Sequence, residues 1–94
     1  MKLLERERVE QVVNQVIQRL MGVTKELEAN DRPIAGLGLT SLDGIDFACE
    51  VQKLLPCEIP KNLNPFVDDA HHKERTVSQI VDLVLSVSGL KAAA

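Results

Sequence analysis

Ser41 offers the clearest chemistry in this chain. It closes a glycine-punctuated run, Gly36-Leu37-Gly38-Leu39-Thr40-Ser41, and leads straight into Leu42-Asp43-Gly44-Ile45-Asp46, an amphipathic stretch with acidic positions. A serine in such a place has three uses. It can help cap the helix that starts there. It can act as a nucleophile, but the elbow that exposes a catalytic serine reads Gly-x-Ser-x-Gly between a strand and a helix. Here the five residues are Leu39-Thr40-Ser41-Leu42-Asp43 with no strand before them, and a helical chain of 94 residues has little room for a pocket and an oxyanion hole. His71 or His72 would have to supply the base. The third use is covalent modification. Free backbone N–H groups and the positive end of the helix dipole would stabilise a phosphodiester attached at that point.

The other reactive side chains point less sharply to a role. His71 and His72 follow Asp68 and Asp69, but adjacent histidines point in different directions on most backbones, and no third group of ligands accompanies them. They read as surface histidines in a polar connector, and no metal is expected. Cys49 and Cys57 are eight residues apart, without metal-type spacing or a disulfide framework, and read as reduced cysteines acting as small hydrophobes. The formal net charge of -3 argues against nucleic acid and anionic membrane, which reward clustered Lys and Arg, and favours a basic protein partner. Aromatic residues amount to Phe47 and Phe66, so there is no stacking platform for bases. No run approaches the ~18 apolar residues of a membrane span, and no secretory pattern is present, so a cytoplasmic chain is expected.

The elements that must position Ser41 are helical. Apolar residues make up 45% of the chain, enough for a folded single domain over 1–94 with a Val/Leu/Ile core. Val9, Val12, Val13, Val16, Ile17 and Leu20 form one apolar stripe, which predicts a helix over 4–21 with Gly22 as its C-cap. Residues 24–38 read as a long connection, with a short helical turn near 25–28, a turn at Asn30-Asp31-Arg32-Pro33, and Ile34, Leu37 and Leu39 pinning the loop down. Thr40 is the expected N-cap of a helix over 41–55, ending before Pro56. Its inner face is expected to follow Leu42, Ile45, Ala48 or Cys49, Val51 or Gln52, and Leu55, widened by Phe47, Val51 and Leu54; Asp43, Asp46, Glu50 and Lys53 lie outside. Asn64-Pro65 predicts a short helix over 65–70. Thr76-Val77-Ser78-Gln79 is a capping box opening a last helix over 77–88, closed by Gly89 and followed by a frayed tail. The expected fold is all-α: a small four-helix bundle, three long helices and one short, with a long first loop.

At this point the residues resemble a known family. Gly38-Leu39-Thr40-Ser41-Leu42-Asp43-Gly44-Ile45 is similar to the phosphopantetheine-attachment motif of acyl carrier proteins, whose core is Asp-Ser-Leu after a Leu-Gly-containing loop. The likeness extends over almost the whole chain, including Glu58-Ile59-Pro60 and the Thr76-Val77 helix start. It implies a carrier, not an enzyme. Ser41 would receive 4′-phosphopantetheine from coenzyme A, and the arm's thiol would hold acyl groups as thioesters in a fatty-acid, polyketide or other specialised lipid pathway. Leu42, Asp43, Asp46 and Glu50 would dock a phosphopantetheinyl transferase and acyl-transferring or acyl-modifying enzymes through their basic patches. Ile45, Phe47, Ala48, Val51, Ile80 and Val84 would line an acyl cavity, with plain core as the alternative for each. A monomer is expected.

Two departures from the family pattern imply a specialised carrier with its own partners. Thr40 stands where the family has an acid, and the 61–75 stretch is longer than usual and carries Lys61, His71, His72, Lys73 and Arg75. The alternative from another class is a helical adaptor that is never modified and binds a protein through its acidic second helix.

Overall fold

The computed structural model describes residues 6–22, 24–68, 70 and 73–93, with side chains as far as 88. Among them run three helices, α1 (Arg6–Met21), α2 (Ser41–Leu54) and α3 (Val77–Ala93), and two short strands, β1 (Val67–Asp68) and β2 (Lys73–Glu74). Helix α1 packs against both α2 and α3. Its stripe of Val9, Val12, Val13, Val16 and Ile17 is buried as the spacing predicts. At about 1.5–3 kcal/mol for each such side chain taken from water, this stripe is the main reason α1 holds both neighbours. The Gly22 N–H closes α1 on the Gln18 carbonyl at 2.9 Å.

The connection before Ser41 is ordered without a helix. The expected turn of helix near 25–28 is absent; instead the Glu28 N–H donates to Asp31 Oδ2 at 2.8 Å and the Asp31 N–H to the Glu28 carbonyl. Leu27, Pro33 and Leu39 are buried, and Ile34 and Leu37 pack against the core, so the loop is pinned by its apolar residues as expected.

The short helix predicted over 65–70 does not form. Val67 and Asp68 pair antiparallel with Glu74 and Lys73, the register being Val67 to Glu74 and Asp68 to Lys73. The reason lies in Arg75. Its Nη1 donates to the carbonyls of Asn64 (2.9 Å), Pro65 (3.4 Å) and Val67 (2.7 Å), and its N–H donates to the Phe66 carbonyl. Those four carbonyls are the ones a helix starting there would have needed as acceptors. Asn64 still behaves as a local cap, since its Oδ1 accepts from the Phe66 N–H at 2.9 Å, but it caps a turn. Phe66 is fully buried against Phe47, with ring centroids 5.4 Å apart.

Helix α2 stops at Leu54, with Leu55 extended as its C-cap, so it ends before Pro56 as expected. The end of α3 differs from expectation. Helix α3 continues through Gly89 to Ala93, so Gly89 closes nothing. A glycine inside a helix costs roughly 1 kcal/mol but does not forbid it. The fold is therefore mostly helical with a small two-stranded sheet where the fourth helix was expected. No helix of the described residues is long and apolar enough to cross a membrane.

Candidate functional site

Ser41 is the first residue of α2 and is exposed. Three features of the chain put it there. Gly38 adopts φ +80, a conformation L side chains rarely take, which turns the loop toward the helix. Leu39 is buried immediately before the cap. Thr40 is extended and forms a full capping box with Asp43: Thr40 Oγ1 accepts from the Asp43 N–H at 3.3 Å, and Asp43 Oδ2 accepts from the Thr40 N–H at 2.8 Å. The Thr40 hydroxyl donates to the same carboxylate oxygen at 3.1 Å. Threonine at 40 thus keeps the cap, and the carboxylate of Asp43 folds back to the position just before Ser41.

The N–H groups of Ser41 and Leu42 have no protein acceptor among the described residues. Such groups at a helix start carry the positive end of the dipole. An anionic ester on Ser41 Oγ would therefore have two unpartnered donors and the positive end of the dipole to meet, with the Asp43 carboxylate as the opposing charge nearby. The donor set fits a phosphodiester.

Asn64, just before β1, also touches the start of α2. Asn64 Nδ2 donates to the Ser41 carbonyl at 2.8 Å. The contact is close because residue 44 is glycine: a Cβ there would lie 2.0 Å from Asn64 Oδ1 and 3.1 Å from the Phe66 ring. Neither Gly44 nor Asn64 registers in a hydrophobic pattern. Only the glycine within a helix at the motif hints that something approaches closely.

The candidate docking residues are not equivalent. Leu42 is 71% exposed and Ile45 53%, so the two sit on the outer face. This corrects the expected inner face of α2. Phe47, Ala48, Val51 and Leu55 are buried as expected, and the first turn of the inner face is Gly44 in place of Leu42 and Ile45. Leu54, expected to widen the buried stripe, is 39% exposed. Ile45 accordingly lines no interior space. Phe47, Ala48, Val51, Ile80 and Val84 belong to one packed core. Asp43 is occupied by the capping box, and Glu50 pairs with Arg19 and Lys53, each at 3.5 Å. Asp46 is exposed, with no partner among the described residues.

Cys57 is buried as a small hydrophobe should be, whereas Cys49 is exposed on α2. His71, His72 and Asp69 lie outside the described residues, and among the described residues no three metal-ligating side chains come together. A cavity of about 220 Å³ lies among Glu10, Asn14, Leu27, Glu28 and Ser78, at the joint of α1 and α3; it shares no residue with the surroundings of Ser41. Scans against protein-family models, curated proteins and solved structures each return no match for the chain.

Proposed function

We propose that this protein is an acyl carrier that bears 4′-phosphopantetheine on Ser41 and delivers thioester-bound acyl groups to partner enzymes, with no catalysis of its own. The observation that carries the proposal is an exposed serine as the first residue of a capped helix whose first two backbone donors, on Ser41 and Leu42, have no acceptor among the described residues. It stands beside the likeness of residues 38–45 to the carrier motif. A transferase would take the serine proton, Ser41 Oγ would bond to the phosphorus nearer the pantetheine, and the pyrophosphate link of coenzyme A would break to release adenosine bisphosphate. When bound, the arm supplies a terminal thiol that holds the acyl group.

This chain's own residues anchor and present. The N–H groups of Ser41 and Leu42 would be the donors available to the ester, Thr40 and Asp43 hold the helix start, and Leu42, Ile45 and Asp46 offer an apolar patch with one unpaired charge. Tethering raises the effective concentration of cargo at each docked enzyme. Charge-steered docking speeds encounter without requiring a tight complex, which lets the carrier leave again. Sheltering a chain among Phe47, Val51, Ile80 and Val84 would require packed side chains to part, so cargo held outside the core suits the geometry better.

The exposure of Leu42 and Ile45 also favours the second reading, an adaptor that is never modified. Intact mass after incubation with coenzyme A and a broad-specificity transferase separates the two. A gain of one phosphopantetheine in the wild type and none in Ser41→Ala is the carrier outcome. No gain with several transferases, alongside direct capture of a protein through α2, is the adaptor outcome.

A further inference from the structure

The hairpin segment touches the Ser41 loop at both of its ends. At the near end Asn64 Nδ2 donates to the Ser41 carbonyl at 2.8 Å. At the far end the Glu74 carboxylate accepts from the Ile34 N–H and, at 3.0 and 3.2 Å, from the Ala35 N–H. Between these contacts the loop is a compact turn, with the Gly36 and Leu37 N–H groups on the Arg32 carbonyl and the Leu39 N–H on the Pro33 carbonyl. Asn64 and Glu74 are ten positions apart, yet Arg75 binds them into one unit by holding the carbonyls of 64, 65 and 67. Phe66 fixes that unit in the core. Buried Pro33 and Leu39 hold this loop to the core, but its outer turn over 34–38 is only partly covered, and such a turn opens locally at little cost. Here side-chain bonds from Asn64 and from the Glu74 carboxylate oppose that opening at both ends.

We infer that residues 64–68 and 73–75 form a clamp that fixes Ser41 for modification, with Asn64 and Glu74 as its positioning residues. This rests on the carrier reading above. The clamp sets where the serine oxygen lies, while the outer face of α2 sets how well a transferase binds. The two roles therefore separate kinetically: loss of the clamp lowers kcat, and loss of docking charge raises KM.

The test is steady-state modification of the full-length chain with coenzyme A and a broad-specificity transferase, paired with amide hydrogen exchange. Asn64→Asp keeps an oxygen for the Phe66 N–H but loses the donor to Ser41. It should lower kcat about five- to tenfold, the worth of one such bond, with KM for the carrier within twofold. Glu74→Ala should do the same, and Glu74→Gln, which retains an acceptor oxygen, should recover most of the rate. Exchange of amides 34–43 should speed up by a similar factor in Asn64→Asp and Glu74→Ala. A kcat unchanged within twofold in both variants overturns the clamp, as does a loss confined to KM. If the wild type is never modified, the carrier reading falls by itself. The clamp is then decided by exchange, and unchanged protection of 34–43 in both variants overturns it.

Discussion

Two helices of this chain start with nearly the same signal and end up with opposite roles. Helix α2 opens at Thr40 with Asp43 three residues on, and α3 opens at Thr76 with Gln79 three residues on. Both form reciprocal capping boxes. At α3 the chain closes the remaining donors as well: the Val77 N–H goes to the Asp31 carbonyl at 2.8 Å and the Ser78 N–H to the Ala29 carbonyl at 3.0 Å. At α2 the corresponding N–H groups, on Ser41 and Leu42, meet no protein acceptor among the described residues. The α3 start is a joint that fastens the first connection to the core. The α2 start is presented outward. The difference is tertiary: residues 29–31 pass over the α3 start, whereas at the α2 start Asn64 binds the Ser41 carbonyl and leaves its N–H side open.

The sharpest way to break this comparison is to exchange the serines. Ser41→Ala should abolish coenzyme A-dependent mass gain completely, with a thermal midpoint close to wild type. Ser78→Ala, at the α3 joint, should leave the gain intact. Modification surviving in Ser41→Ala would remove the distinction between the two ends.

The next effect is on stability. Phe66→Ala removes the ring that seats the hairpin beside α2 and should cost about 3–5 kcal/mol by urea unfolding, as large-to-small changes of a buried aromatic do. A loss under 1 kcal/mol would mean that the hairpin is not anchored in the core.

Smaller changes sharpen the contrast between the caps. Thr76→Ala and Thr40→Ala should each cost about 1 kcal/mol. Only Thr40→Ala should also slow modification of Ser41, read as the rate of mass gain. Equal rates in the two variants would mean that the α2 cap serves stability alone.

The smallest effect concerns charge. Asp46→Asn should slow modification a few-fold at low salt, more than Glu50→Gln, because Glu50 is already paired with Arg19 and Lys53. Near 1 M salt, where the Debye length is about 3 Å, the difference should vanish. The same slowing at both salt concentrations would argue against charge-steered docking.

Much of the molecule was legible before folding. The α1 stripe, the Gly22 cap, the Thr40 and Thr76 helix starts and the pinned loop all rest on interactions within a few residues. On α2 the periodicity places Phe47, Ala48, Val51 and Leu55 inside correctly but not Leu42 and Ile45, because an apolar count gives a glycine no weight and the contact at that level is Gly44 against Asn64 and Phe66. The helix expected over 65–70 does not form although Asn64-Pro65 is a sound local start, because the guanidinium that takes its carbonyls comes from Arg75, beyond the reach of local pattern.

By itself, then, the sequence determined that a serine stands at the start of a capped amphipathic helix, because capping and periodicity are local and the backbone obeys them almost anywhere. Only the tertiary structure decided which donors at that start stay open, which apolar residues face outward, and what steadies the loop behind Ser41. Those outcomes depend on segments far apart in the chain competing for the same carbonyls and the same space, and no local pattern records who wins.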